Sequence, residues 1–572
     1  MEDIYSILKN NLDDSDLTLE EQIEEFESFE ECEIIANNLL KSNTSKSIKV
    51  NESFFIDLEV FQDHLNNKDK SIFKKINKTF TLFGNVILNK KLLCPIDDII
   101  LLNKQKENIL FILENIDKYE LNLKEIKSTQ NDLLWFWKEI DENTESIYSM
   151  IFFQFKYIKF LNYNESLMNI YTIYTMFLNP IMSTLSPLYS IIFLIILKIY
   201  YKVKIPIKKI FNIIKELFFS KIKSVFSNIK LFFSMCIWLL FYIYNIYQNI
   251  SYTLSINKIT NIFHKKLLKI IKFLECSNNI VLLNKDLLNY KIDFSSLRTS
   301  LNYKLFGKNP NLFSNKGRII STYYTILDIK DKLIPIMNYI GEVDVLYSSA
   351  KLLKEYNFTL PNYINNKKFI FDIKDCWHPY LSNNIIKNSI DLKNNIIITG
   401  PNAAGKSTFI KTLMLNTLLS QTLSISSSRC FNLTPFNMIY TYLHIPDTKG
   451  KESLFEAELN RCTDIIKKLS VNKNNKSFII MDEIFSSTNP VEGAKAANKI
   501  CEKINNFKNN IIIVTTHYNK LTKLEKKCNF VNYNFKINRD KNKNIIYTYK
   551  LLKGISNDKI ALELLDNKLK NL

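Results

Sequence analysis

Between positions 399 and 408 the chain reads Thr399-Gly400-Pro401-Asn402-Ala403-Ala404-Gly405-Lys406-Ser407-Thr408. The apolar run Asn395-Ile396-Ile397-Ile398 precedes it and Phe409-Ile410-Lys411-Thr412-Leu413-Met414 follows, which predicts a strand, a glycine-bounded turn and a helix N-terminus. Backbone N–H groups of such a turn, backed by the helix dipole, suit the β- and γ-phosphates of a nucleoside triphosphate. Gly400, Pro401, Asn402, Gly405 and Thr408 then shape the loop, Lys406 sets a cation between the phosphates, and the Ser407 hydroxyl coordinates Mg²⁺. The expected ligand is a nucleoside triphosphate with Mg²⁺.

Two later segments point from binding to hydrolysis. Ser477-Phe478-Ile479-Ile480-Met481 reads as a buried strand that delivers Asp482-Glu483 at its C-terminal end. Asp482 is placed to hold Mg²⁺ through water and Glu483 to polarise the attacking water. Ile511-Ile512-Ile513-Val514-Thr515-Thr516-His517 forms another core strand, and His517 is a candidate γ-phosphate contact.

These motifs together resemble the ATPase domain of the MutS family: Thr-Gly-Pro-Asn-x-x-Gly-Lys-Ser-Thr, Asp-Glu-Ile-Phe-Ser-Ser-Thr-Asn-Pro and Thr-Thr-His-Tyr. Cys376-Trp377-His378-Pro379 is similar to the His-Pro that precedes that domain, and Leu551-Leu552-Lys553-Gly554-Ile555-Ser556, with Ala561-Leu562-Glu563-Leu564-Leu565, to its closing strand and helix. Gly450-Lys451-Glu452-Ser453-Leu454-Phe455-Glu456-Ala457-Glu458-Leu459 resembles the family's signature segment. The resemblance implies that Ser453 reaches the γ-phosphate held by another subunit; the plain alternative is that it caps its own helix. Upstream, Thr79-Phe80-Thr81-Leu82-Phe83-Gly84, Leu92-Leu93-Cys94-Pro95-Ile96-Asp97-Asp98 and Asn103-Lys104-Gln105 are similar to the start of the MutS helical core. Gly341-Glu342-Val343-Asp344-Val345-Leu346-Tyr347-Ser348-Ser349-Ala350 is similar to its end.

Some positions depart from the family pattern. Ala403-Ala404 stand where it has Met-Gly, which the loop tolerates if the backbone there is not left-handed. Ser486-Ser487 stand where relatives often have Arg-Gly, and Ile385 takes the place of an aromatic expected to stack on adenine. Fewer than about 80 residues precede the core-like segment, too few for a mismatch-sensing domain with its connector. The reading is therefore a truncated MutS relative.

A large insertion separates the two core segments. No charged residue occurs from Ser166 to Leu197 or from Leu231 to Asn257. Each run exceeds the ~20 residues that cross a bilayer, and the connector between them carries nine lysines, Lys198 to Lys230, against Glu216. Pro180 and Pro187 suggest that the first run enters and returns. The expectation is membrane lipid as a partner, with the ATPase domain facing the cytosol.

Composition fits a multi-domain chain: 572 residues, 46% hydrophobic, with a net charge of +19 that suits DNA or anionic lipid. The N-terminal stretch is the exception, acidic from Glu20 to Glu33. Nine cysteines show no CxxC pair, so they are expected to be reduced. The expected fold class is an α/β P-loop (ABC-type) ATPase domain at the C-terminus. An all-α MutS-like core, interrupted by transmembrane or membrane-associated helices, precedes it. The expected segments are an acidic arm (1–45), core (46–165), membrane-associated insertion (166–257), core (258–375) and ATPase domain (376–572). The implied activity is ATP hydrolysis by a homodimer, or a heterodimer with a MutS-like partner, on double-stranded DNA in mismatch repair or recombination. The alternative is a membrane-anchored dimeric ATPase that remodels a membrane or partner without mismatch recognition.

Overall fold

The computed structural model describes residues 29–41, 47–51, 53–63, 65–138, 148–149, 151–185, 229–284, 316–366, 369–381, 385–443, 453–471, 475–539 and 545–556, with isolated positions between them. In chain order, the helices used below are α1 (Leu82–Leu92), α2 (Ile99–Glu114), α3 (Ile116–Lys127), α4 (Glu165–Ile173), α5 (Ile229–Leu283), α6 (Lys316–Ile329), α7 (Ile334–Tyr356), α8 (Lys406–Thr422), α9 (Leu454–Val471) and α10 (Pro490–Asn505). The strands are β1 (Lys49–Val50), β2 (Asn362–Tyr363), β3 (Phe371–Cys376), β4 (Asn388–Asp391), β5 (Asn395–Thr399), β6 (Cys430–Leu433), β7 (Met438–Tyr442), β8 (Ser477–Asp482), β9 (Asn510–Thr515), β10 (Phe530–Arg539) and β11 (Ile545–Lys553). The chain divides into two compact units, one of residues 1–35, 128–278 and 291–335, the other of 36–127, 279–290 and 336–572.

The second unit contains two sheets. The larger has the order β1-β7-β8-β9-β5-β10-β11, parallel throughout except for the β10–β11 pair. Strands β5, β7, β8 and β9 are almost wholly buried, as continuous Ile, Val, Met and Tyr runs of a parallel sheet require. The smaller sheet runs β2-β6-β3-β4.

Helices α1, α2, α3 and α7 belong to the same unit, and a buried carboxylate ties the first to the last. Thr81 caps α1 by accepting from Gly84 N at 3.0 Å. The Thr81 hydroxyl donates to Asp344 Oδ2 at 2.6 Å, and Asp344 also accepts from Thr81 N (2.7 Å) and Phe80 N (3.1 Å). The two segments read separately as the start and end of a helical core thus meet around one side chain. Close approach demands glycine at both contacts. A Cβ on Gly84 would lie 2.3 Å from Asp344 Oδ2, and one on Gly341 would lie 2.8 Å from Phe83 O.

The other unit is helical and aromatic inside. Phe263 and Tyr323 stack at 3.7 Å between ring centroids, with Phe136, Phe152 and Trp135 around them. Gly317, at the start of α6, lets that helix touch the α4 backbone, since a Cβ there would stand 2.0 Å from Asn169 N.

This unit corrects the membrane expectation. No helix among the described residues is long and apolar enough to cross a membrane. The first apolar run breaks into α4, a π-helical turn at Tyr174–Leu178 and a short helix at Asn179–Thr184 with Pro180 in its first turn; apart from Tyr189, Ile196 and Lys208, its remainder with Pro187 and the basic connector to residue 228 lies outside the described residues. The second run is the first half of α5, a helix of 55 residues. Its apolar side chains, Leu240 and Phe241 among them, are exposed, but Asn245, Gln248 and Asn249 interrupt them. The polar groups are used within the protein: Tyr242 donates to Thr184 O (2.6 Å), Asn249 to Ser183 Oγ (2.7 Å) and Thr253 to Met176 O (3.1 Å). The described part of the first run, Met176 to Thr184, thus lies against residues 242–253 of the second. The expected membrane-associated location, the lipid partner and the membrane-spanning helices of the fold class are not borne out.

Candidate nucleotide site

Strand β5 delivers the loop of residues 400–405, and α8 begins at Lys406, as the local pattern demands. Gly400 (φ 151°) and Gly405 (φ 99°) both have positive φ. A Cβ at Gly400 would meet Phe535 O at 2.9 Å, and one at Gly405 the Tyr549 ring at 3.2 Å. Gly400 therefore requires glycine on two counts, and Gly405 by its backbone conformation. Ala403 is left-handed as well, at φ 63°, so the loop carries the strain that the sequence condition left open, about 1 kcal/mol. Ala404, which replaces the family's glycine, has no positive φ, so its Cβ fits.

The functional side chains converge above this loop. Lys406 is 5% exposed and donates to Gly400 O (3.0 Å) and Pro401 O (3.2 Å), with Glu483 Oε1 at 3.7 Å. Burial lowers the lysine's pKa, and Glu483 and Asp482 oppose that shift. His517 Nε2 lies 2.9 Å from Glu483 Oε1 and 2.8 Å from Asn402 Oδ1. Two oxygen acceptors at such distances mark Nε2 as the protonated nitrogen. The 3.3 Å approach of Lys406 Nζ to it is then crowding, not a hydrogen bond. The His517 hydrogen bond, with Lys406 beyond it, holds the Glu483 carboxyl below its ordinary range despite burial, so Glu483 is ionised at neutral pH.

Strands β8 and β9 set this geometry. Asp482 pairs in register with Thr515, whose hydroxyl donates to Asp482 Oδ1. Glu483 N donates to Thr515 O at 3.1 Å, and the chain then turns with Glu483 (φ 48°) and Phe485 (φ 57°) both left-handed. Non-glycine residues in that region cluster at functional sites.

A cavity of about 500 Å³ opens beside the loop, lined by the polar residues Asn402, Lys406, Ser407, Thr408 and Glu483 with Gly405. Trp377, His378, Ile386, Phe535 and Tyr549 also line it. The sequence reading missed Tyr549 and named Ile385; Ile386 is the isoleucine in the wall. Tyr549 carries no local signal: it lies where the β10–β11 register shifts, with φ 52°, so strand alternation does not predict the side it faces. The donor set suits a triphosphate with its cation: a buried lysine, a hydroxyl and a carboxylate at the end of a parallel strand.

Ser453 stands apart, exposed and not in the cavity wall. Its hydroxyl accepts from Glu456 N at 3.2 Å, so it caps α9. That helix nevertheless packs on the turn after Glu483: Phe455 meets Phe485 at 5.5 Å, and Ser487 donates to Glu458 Oε2 at 2.7 Å. The rest of the signature segment, residues 450–452, lies outside the described residues, as do residues 561–565.

The MutS domain V family matches residues 396–566. The chain carries a MutS domain V. A DNA mismatch repair protein MutS from Fusobacterium nucleatum is 30% identical over 243 residues, 41% of this chain and 26% of that protein. One from Ehrlichia chaffeensis is 28% identical over 267 residues, 44% and 32% respectively. One from Clostridium botulinum is 30% identical over 275 residues, 46% and 29%. The chain thus spans less than a third of the length of these MutS relatives. Every residue named above in the loop, at Asp482-Glu483 and at His517 falls within the matched MutS domain V.

Proposed function

We propose that this chain is a MutS-type ATPase that works as a dimer on double-stranded DNA. One observation carries the ATPase reading. Asn402, Lys406, Glu483 and His517 meet within 3.7 Å of one another's polar atoms, at the C-terminal ends of three adjacent parallel strands beside a cavity. Ligands of open parallel sheets bind at that edge.

Each residue has a role that follows from its position. The N–H groups of the loop and of the first turn of α8, with Lys406, bind the phosphates. Ser407 and Asp482 would hold Mg²⁺, which supplies charge neutralisation of the phosphoryl oxygens when bound. Glu483, already ionised, accepts the proton of an attacking water. The His517 N–H keeps the Glu483 carboxylate oriented and linked to Asn402. Tyr549, Phe535 and Ile386 offer the apolar wall for the base, with Tyr549 making up for the aromatic absent at Ile385.

DNA enters through the printed name of the relatives and through the net charge of +19. The dimer, of two like chains or with a MutS-like partner, would bring Ser453 to the site of the other subunit.

The test is Glu483→Gln. The variant keeps the shape and should bind ATP as the wild type does, while turnover falls by about 10²–10⁴. Wild-type turnover in this variant would remove Glu483 as the base.

A further inference from the structure

Residues 47–63 are remote in sequence from the ATPase motifs yet grip three of its elements. Strand β1 extends the edge of the large sheet, Lys49 opposite Met438 and Val50 opposite Ile439. Where the strand ends, a side chain continues the ladder. Asn51 Oδ1 accepts from Thr441 N (3.0 Å) and Asn51 Nδ2 donates to Thr441 O (3.1 Å). The next turn brings two polar side chains against α9: Arg461 Nη2 donates to Ser53 Oγ and to Asp57 Oδ2, and to Thr441 O at 3.1 Å. The Thr441 hydroxyl donates to the same Asp57 oxygen at 2.6 Å, and Asp57 is 1% exposed. Two residues on, Glu59 sits in a left-handed conformation (φ 54°) and accepts from Lys411 Nζ of α8 at 2.6 Å.

The two basic anchors are informative because of what precedes them. Lys411 lies five positions after Lys406, about 8 Å along α8, and Arg461 eight positions after Ser453, about 12 Å along α9. Helices transmit displacement along their axes with little loss, because the backbone ladder is stiff. A segment anchored to both fixes the separation of the phosphate loop from the start of the signature helix. The left-handed Glu59 closes the short helix Phe54–Asp57 as its C-terminal cap, Glu59 N donating to Ile56 O (3.0 Å) and Val60 N to Phe55 O (2.9 Å), so the glutamate that meets Lys411 stands on a fixed backbone.

We infer that residues 47–63 form a strap coupling the phosphate-loop helix to the signature helix, with Asp57 and Glu59 as positioning residues for ATP turnover. This rests on the ATPase reading above for its functional half; the mechanical coupling stands on the contacts alone.

The test uses the full chain and the Glu59–Lys411 pair, 30% and 18% exposed, since loss of Asp57, 1% exposed and hydrogen-bonded to both Arg461 and Thr441, would unfold the region. Glu59→Gln and Lys411→Met are compared with the charge swap Glu59→Lys/Lys411→Glu. Three readouts are needed: nucleotide affinity with a fluorescent ATP analogue, kcat, and hydrogen exchange of amides 454–460 without nucleotide. The single variants should lower kcat by about three- to tenfold at unchanged nucleotide affinity and melting temperature, and the swap should restore most of it. Exchange at 454–460 should quicken by a similar factor although the altered pair touches the other helix. Unchanged exchange at 454–460 overturns the strap, whatever the enzyme does. A fall in kcat matched by lost affinity or a lowered melting temperature also overturns it, leaving the pair as structural glue. Quickened exchange in a protein that neither binds nor hydrolyses ATP upholds the coupling and overturns the ATPase reading instead.

Discussion

Replacing Gly84 with alanine isolates the contact that joins α1 to α7. At an ordinary helix position this change stabilises by about 1 kcal/mol, because alanine loses less backbone entropy. Here the new Cβ would stand 2.3 Å from Asp344 Oδ2, 2.6 Å from its Cγ and 2.8 Å from its Cβ. Those atoms belong to a side chain buried at 0% exposure, and Oδ2 accepts from both Thr81 N and the Thr81 hydroxyl. Moving the carboxylate strands these donors and that of Phe80, each at about 1–3 kcal/mol when buried. Some of that is recovered by local shifts, so the net effect should be a destabilisation of about 2–4 kcal/mol. Hydrogen exchange of amides 82–92 reads it locally, as a fall in protection of about 30- to 1000-fold. Denaturant unfolding reads it globally. A neutral or stabilising Gly84→Ala would refute the claim that Asp344 occupies that space.

Acidification should reveal the same carboxyl. Burial pushes Asp344 up from 3.8 to about 6, ahead of the hydrogen bonds that favour its charged form. A raised carboxyl contributes stability below the unfolded value and loses it as pH rises through about 6. The stability of Asp344→Asn relative to wild type should therefore improve by up to about 3 kcal/mol between pH 4 and 7.5 in urea titrations; a pH-independent difference would contradict the shift. Ser453→Ala and Lys406→Ala chains should each hydrolyse ATP poorly alone. Mixed, they should recover up to about half of the activity if Ser453 serves another subunit, since one composite site is then intact; confirmed mixed dimers without recovery would leave Ser453 as a cap. DNA binding by the full chain should fall steeply with salt and treat homoduplex and mismatched duplex alike. A tenfold mismatch preference, about 1.4 kcal/mol, would show recognition beyond charge.

The strand, glycine-bounded loop and helix at 395–422, the Asp482-Glu483 strand and the strand ending before His517 were legible because their signals are local. Glycines at positive φ, isoleucine runs buried on both faces and a polar residue at a strand end are each dictated by neighbours a few positions away. The helical character of 82–84 and 341–350 was legible too, but not what brings them together: Asp344 seats itself over Gly84. Tyr549 went unnoticed because a strand tyrosine has no mark of which wall it faces until β11 is paired with β10.

The apolar runs of 166–197 and 231–257 show the limit most plainly. Absence of charge is the same property whether a helix faces lipid or another helix, and only the Tyr242, Asn249 and Thr253 contacts tell which partner their polar groups use. The strap at 47–63 is the opposite case. Its residues are few and individually ordinary, and two residues of strand carry no periodicity to read. Their meaning comes from Thr441, Lys411 and Arg461, some 350 to 400 positions away. Local sequence specifies which backbone conformations a segment adopts. Which distant side chain satisfies a buried charge is set by the free energy of the assembled core, and no window of sequence contains it.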